Sequence, residues 1–196
     1  MPYPADHKKE TRERILKSAR HLFNRKGFAE VTIDEIMADA GLTRGGFYNH
    51  FDTKEALYSE AIRQFLCDGP EAWQRAYIDP SANGGLLAKM IVEAYLSREH
   101  FEDRDGSCPM IGLPSDTARA GDGVKAAYRE VLQMMAATFE TNLPPSETSG
   151  RQRALALVAL CVGGMVLSRA IDDPRLGEDL RNAARAHVLS LAGWDT

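Results

Sequence analysis

Apolar positions recur with a helical period along almost the whole chain. Between residues 8 and 26, Ile15, Leu16, Ala19, Leu22 and Phe23 fall at i, i+1, i+4, i+7 and i+8, one face of an amphipathic helix. Gly27 is placed to stop that helix, and Phe28 and Val31 can pack back on it. The next helix opens at "TIDE", where Thr32 can cap and Glu35, three residues on, is the reciprocal partner of a capping box. Ile33, Ile36 and Met37 give this helix an inner face, and Gly41 ends it. Thr43 is predicted to cap a third helix, with Phe47 and Phe51 four apart on one side. "DTKE" predicts a further capping box, Asp52 to Glu55, ahead of a longer helix with Leu57, Tyr58, Ala61, Ile62 and Phe65 inward.

Beyond residue 66, turn-rich stretches at 67–70, 79–85, 103–109 and 142–150 separate helical patterns at 71–78, 85–101, 109–119, 123–141, 151–171 and 175–192. The pattern at 151–171, with Leu155, Val158, Cys161, Val162, Met165 and Val166, is apolar nearly all round, as in a helix buried in a core or under a partner. The last helix carries Leu176, Leu180, Ala183, Ala184, His187, Val188 and Leu191, and the pair Asp172–Asp173 before Pro174 reads as a stop followed by a start. The expected fold class is all-α.

Residues 32–51 therefore read as helix, tight glycine turn, helix, the plan of a helix-turn-helix whose second helix lies in the major groove of DNA. That second helix is an awkward one: Gly45 and Gly46 each cost about 1 kcal/mol against alanine. The cost makes sense if Phe47 and Phe51 hold the helix to its domain. The opposite side then presents Thr43, Arg44, Gly45, Gly46, Tyr48, Asn49 and His50, and the glycines let the backbone come close to bases and sugars. Arg44 can donate two bonds to a guanine edge, and Thr43 can touch a thymine methyl. Tyr48, His50 and Lys54 can reach phosphates, which set register. A glycine-rich turn between ordinary core helices would show the same periodicity.

Charge adds to this picture. The whole chain carries −4, but residues 1–26 hold eight cations against three acids, a net +5 that leaves −9 for the rest. A basic leader on an acidic body suits an anionic partner at one end, or simply a solvated helix face. The 196 residues are 44% hydrophobic, enough for one or two compact domains. The apolar run 154–167 is shorter than the ~20 residues of a spanning helix, and the start of the chain has no signal-peptide pattern, so a cytoplasmic location is expected. Cys67, Cys108 and Cys161 are odd in number and lack CxxC spacing, which argues against disulfides and a structural zinc. His100, Asp103, Asp105 and Cys108 match no regular metal site, no phosphate-cradling glycine loop is present, and no serine has a cue for an adjacent base. No metal, no cofactor and no enzymatic activity are expected.

Residues 8–66 resemble the DNA-binding domain of the TetR/AcrR family of bacterial transcriptional repressors. The resemblance rests on Phe23–Gly27–Phe28, Thr32 opening its helix, Ala40–Gly41, Tyr48 with His50–Phe51, and Lys54–Glu55. It implies a three-helix DNA-binding unit in residues 1–66, with a linking helix from about 53, and an all-helical effector-binding and dimerisation domain in 67–196. It implies that Thr32 contacts a phosphate, that Arg44 and its neighbours read bases, and that Tyr48 and Lys54 clamp the backbone. It further implies a homodimer on a palindromic operator, released by a small molecule. The last two helices would form the dimer interface, with Ala159, Gly163, Gly164, Leu180, Ala184 and Val188 as candidates. Effector-lining candidates are Trp73, Met90, Tyr95, Phe101, Cys108, Met110, Tyr128, Met134, Met135, Phe139 and Met165, since methionine adapts its shape and tyrosine adds a polar handle.

"DGSCPM" adds one further expectation. Pro109 suits a first helical position, which puts Cys108 at an N-cap where a thiolate is favoured, so Cys108 is a candidate sensor of electrophiles or oxidants. The alternative is a buried, inert thiol. Two other functional classes fit less of the sequence: a helical enzyme or carrier that retained a helix-turn-helix, and an adaptor that binds a protein partner through the first helices.

Overall fold

The computed structural model describes residues 5–77 and 84–194, with side chains described for 7–65 and 87–194. Every regular element among the described residues is helical. The order is α1 (Ala5–Glu30), α2 (Ile33–Asp39), a 3₁₀ helix (Arg44–Asn49), α3 (Lys54–Tyr77), α4 (Gly84–Tyr95), α5 (Arg98–Glu102), α6 (Pro109–Gly112), α7 (Pro114–Arg119), α8 (Asp122–Asn142), α9 (Gly150–Ala170) and α10 (Pro174–Ala192). The chain divides into two compact units, one of residues 1–67 with 104–129, the other of 68–103 with 130–196. The unit that holds the first helices thus also contains a segment from much later in the chain.

In the first unit, Ile15, Leu16, Ala19 and Phe23 of α1 are buried with Val31, Ile36, Met37, Phe47, Phe51, Leu57, Tyr58 and Ile62. Helix α1 is broken at Gly27, whose φ of +78° and ψ of 170° lie where a side chain is strained. In the second unit, α9 and α10 pack along their length. Gly164 is part of that seam: a Cβ placed there would lie 2.7 Å from Ala184 Cβ. Asp173 starts α10, its carboxylate accepting the amides of Arg175 and Leu176 at 3.0 and 3.1 Å, with Pro174 in the first turn, as the stop-and-start reading requires.

Several local expectations are corrected. The helix expected from Thr43 is a 3₁₀ helix, and Thr43 makes no side-chain cap bond. The cap of α3 is Thr53, whose hydroxyl accepts the Ala56 amide at 3.0 Å; Asp52 sits one residue too early. The turn expected at 67–70 is absent because α3 runs through it to Tyr77. The pattern at 85–101 is two helices, divided where the Ser97 hydroxyl caps α5 by accepting the His100 amide at 3.1 Å. The pattern at 109–119 is likewise split, at Leu113–Pro114. The most apolar 18-residue stretch of the 21-residue helix α9 has a mean hydropathy of 1.6, so by length and composition alone it could cross a membrane, a test that the core helix of a soluble protein also passes. Its end arginines bond to carbonyls of neighbouring segments of the same unit, Arg153 to Pro144 and Leu191, Arg169 to His100 and Asp103.

Candidate nucleic-acid interface

The interface is built from the ends of α1, α2 and α3. At the start of α2 the capping box is complete: the Thr32 amide donates to Glu35 Oε2 at 2.9 Å and the Glu35 amide donates to Thr32 Oγ1 at 3.1 Å. Lys26 Nζ adds a bond to Glu35 Oε1 at 3.0 Å. The Thr32 amide, then Lys26, then the Thr32 hydroxyl hold the Glu35 carboxyl down to about 2, so it is ionised at every physiological pH. At the other end, Gly41 has φ +66°; its amide bonds to Ala38 O at 2.9 Å and the Leu42 amide to Met37 O at 2.8 Å. This 5→2, 6→1 pair is a Schellman ending that only a glycine-like conformation closes cheaply. Arg14 covers the remaining Ala40 carbonyl at 2.5 Å.

The 3₁₀ helix follows at once, tightened by bonds from Gly46 N to Thr43 O at 3.0 Å and from His50 N to Phe47 O at 2.9 Å. Phe47 is completely buried and Phe51 nearly so, their rings 5.9 Å apart. Of the residues expected on the outward side, Thr43, Arg44, Gly45, Tyr48 and Asn49 are exposed, Tyr48 at 59% despite its size, while Gly46 and His50 are half-buried. Nothing in the described structure lies within 4 Å of a Cβ built on Gly45, and Gly45 lacks a positive φ. Neither packing against the described residues nor a left-handed backbone requires glycine there.

The neighbouring groups are held in place by specific bonds. Arg44 reaches Asp34 Oδ2 at 2.7 Å across the exposed face. Lys54 is more committed than its sequence position suggested: Nζ donates to the carbonyls of Phe28 and Val31, both at 2.7 Å, and lies 4.2 Å over the Phe28 ring. An ammonium has three donors, so one remains for a phosphate. His50 is half-buried with Nδ1 unpartnered among the described residues, and burial, then Lys8 and Arg12, lower its pKa. Arg12 pairs through both terminal nitrogens with Glu60 and lies 4.5 Å from the Phe51 ring centroid, tying α1 to α3.

The other candidate residues are distributed over both units. Trp73 lies outside the described side chains. Cys108, Met110 and Tyr128 belong to the first unit, and Met90, Tyr95, Phe101, Met134, Met135, Phe139 and Met165 to the second. Phe139 and Met165 are fully buried core residues, Phe139 beside Trp194. Cys108 does stand at the N-cap of α6, before Pro109, but α6 is a single turn and the residue is only 1% exposed. A one-turn helix has little dipole with which to activate a thiol, so helix position gives Cys108 no reason to be reactive. Among the dimer candidates, Gly164 and Ala184 meet one another within the chain, Val188 is buried, Leu180 is half-buried and Ala159 is exposed, while no described residue comes within 4 Å of a Cβ built on Gly163.

Two features escaped the sequence reading. Arg181 occupies the inward stripe of α10 between Gly177 and Ala184, its guanidinium 4.1 Å from the centroid of the Phe101 ring. The i+4 spacing from Gly177 was the available signal. Asp105 and Asp116 bind the end of α1: Asp105 pairs with Arg25, and Asp116 Oδ2 accepts the Phe28 amide at 2.7 Å. No sequence signal marks a pairing across 88 positions.

Residues 15–61 match the family described as bacterial regulatory proteins, tetR family. The chain is similar to two Bacillus subtilis HTH-type transcriptional regulators: YdgC, 25% identical over 160 residues (80% of this chain, 77% of that one), and LmrA, 27% over 170 residues (81% and 86%). Its fold is that of the crystal structure of E. coli NemR in reduced form, with TM-score 0.76, 17% identity and coverage of 92% and 96% of the two chains. The match at residues 15–61 and these relatives support a transcriptional regulator of the TetR/AcrR family. The 3₁₀ helix at Arg44–Asn49 lies within the matched stretch of a DNA-binding regulator.

Proposed function

We propose that this TetR/AcrR regulator is a cytoplasmic repressor that grips a palindromic operator as a homodimer and is released when a small molecule binds within residues 67–196. One observation carries the reading of the DNA side: Phe47 is wholly buried while Thr43, Arg44, Gly45, Tyr48 and Asn49 on the same short helix are exposed. In this reading Arg44 and Thr43 meet base edges, and Thr32, Tyr48, His50 and the third donor of Lys54 meet phosphates.

Exposed apolar rows support the dimer. Leu155, Ala159 and Leu167 lie open on α9, and Leu176, Ala183 and Leu191 on α10. Two copies that cover these rows by a two-fold axis would set two recognition helices about 34–36 Å apart, one DNA turn. For the effector we favour a largely apolar molecule that displaces flexible Met90 and Met134 and stacks near Phe101, all half-buried. It must bind one conformation of the dimer better than the other to change DNA affinity.

Selection of bound sequences from random DNA tests the proposal, repeated with apolar and electrophilic compounds. The expected result is a two-fold symmetric consensus that Arg44→Ala relaxes at one position per half-site, at a cost of about 1–3 kcal/mol. A selection that yields no consensus would overturn the reading. If Cys108→Ser responds to every electrophile as the parent does, the sensor role for Cys108 is rejected.

A further inference from the structure

The bend at residues 27–32 joins α1 to α2, and its shape decides where two phosphate-facing groups stand. Its far end is Thr32, the exposed N-cap of α2, joined to Glu35 by the capping box. Its carbonyls at Phe28 and Val31 grip Lys54, the first residue of α3. Displacing the bend would therefore move both helix starts together.

What holds the bend is a carboxylate from far along the chain. Gly27 turns the backbone with φ +78°, which points the Phe28 N–H away from α1 and leaves it no helical acceptor. Asp116 Oδ2 accepts it at 2.7 Å, and Arg119 holds the other carboxylate oxygen at 3.1 Å. The Asp116 side chain is 16% exposed, so little water competes for the bond. The fit is close on both sides, because a Cβ on Gly27 would lie 2.7 Å from that same oxygen. Next to it, Phe28 stacks on Tyr58 with centroids 4.6 Å apart. Asp105 and the carbonyl of Ser107 steady the preceding turn, Asp105 through Arg25 and both backbone carbonyls through the Asn24 amide at 3.0 Å.

We propose that Asp116 is a positioning residue for operator recognition, acting through the Phe28 amide to set the bend that places Thr32 and Lys54 against the phosphates. Asp116 touches no DNA; its part is to make two phosphate contacts simultaneously available. The proposal rests on the helix-turn-helix reading above, and it makes the 104–129 segment a working part of the DNA-binding unit.

The test uses the full-length chain on its selected operator, titrated with salt at a temperature where each variant is shown to be folded. Asp116→Ala is expected to lose about tenfold or more in affinity, the scale of one hydrogen bond to a charged group. Its log–log salt slope should shrink by about one for each phosphate that the variant no longer neutralises. Base preference should stay that of the parent. Asp116→Asn keeps an oxygen acceptor and should retain affinity within about threefold, the range of one weak neutral hydrogen bond. Should Asp116→Ala not fold, Asp116→Glu, which displaces the acceptor by one methylene, replaces it with the same expected loss. Amide exchange at Phe28 gives an independent readout, slow in the parent and in Asp116→Asn, fast in the variant without the bond. Parent-like affinity and salt slope in Asp116→Ala or Asp116→Glu overturn the proposal, as does equal damage in Asp116→Asn. If the parent itself binds no operator, the helix-turn-helix reading has failed instead.

Discussion

The stretch 27–54 and the α9–α10 pair hold their shapes by opposite means. The first is fixed by directional bonds: a capping box, a Schellman turn at Gly41, a lysine on two carbonyls and a carboxylate on one amide. The second relies mainly on apolar packing, with Gly164 against Ala184 and with Leu157, Met165 and Val188 buried, and directional bonds are few there, Ser168 Oγ to the Gly177 carbonyl at 2.8 Å and Arg153 to that of Leu191 at 3.2 Å. Directional bonds define positions to fractions of an ångström, which an interface reading a fixed lattice of phosphates needs. Apolar packing has no preferred direction.

The most severe break of this contrast is Phe47→Ala. Phe47 is the one fully buried anchor of the 3₁₀ helix, so even the bond-built region depends on an apolar pin. Chemical denaturation should show a loss of about 3–5 kcal/mol, with loss of operator binding under conditions where the chain remains folded.

A pH effect of similar size is expected on the other side of the contrast. His100 is fully buried, its Nδ1 2.7 Å from the Tyr95 carbonyl. Burial lowers its pKa to about 4, against 6.5 for a free imidazole, so the folded chain keeps the ring neutral. Between these two values the unfolded chain binds the extra proton, so stability falls as pH drops from about 6.5 toward 4, by at most about 3 kcal/mol. His100→Gln should flatten that part of the stability–pH curve measured by denaturant titration.

Gly164→Val sharpens the contrast. Its new carbon meets Ala184 Cβ, and Leu96 Cδ2 stands at 3.3 Å, so the helices must part. Overpacking of this kind costs about 1–3 kcal/mol, and the base preference of the 43–50 face should not change. The smallest effect is Thr32→Ala. Loss of an N-cap costs about 1 kcal/mol, and amide exchange at Glu35 should accelerate. Should Gly164→Val alter base preference while Thr32→Ala leaves DNA affinity unchanged, the division of labour between the two regions is wrong.

The same contrast separates features legible in residue types and spacing from those that are not. Caps and turns are local: Thr32 and Glu35 are three residues apart, and Gly41 stands where its helix must stop, so the pattern suffices. Even there, the pattern pointed to Asp52, with Glu55 three residues on, and only the backbone path selected Thr53. The 3₁₀ character of 44–49 was equally hidden, because spacing of two phenylalanines does not distinguish one tight helix from another.

The sequence by itself determined the all-helical fold class, the helix-turn-helix and the division of the 43–50 face into anchored and exposed sides. It could do so because helical period, caps and glycine stops act over a few residues. Tertiary structure alone decided which glycine of the pair 163–164 turns inward, since one residue rotates a helix face by about 100° and an almost uniformly apolar helix has no dominant face to mark. Tertiary structure also decided that Asp116 would hold the bend before α2, because a hydrogen bond across 88 positions depends on where the chain returns in space, which no local pattern records.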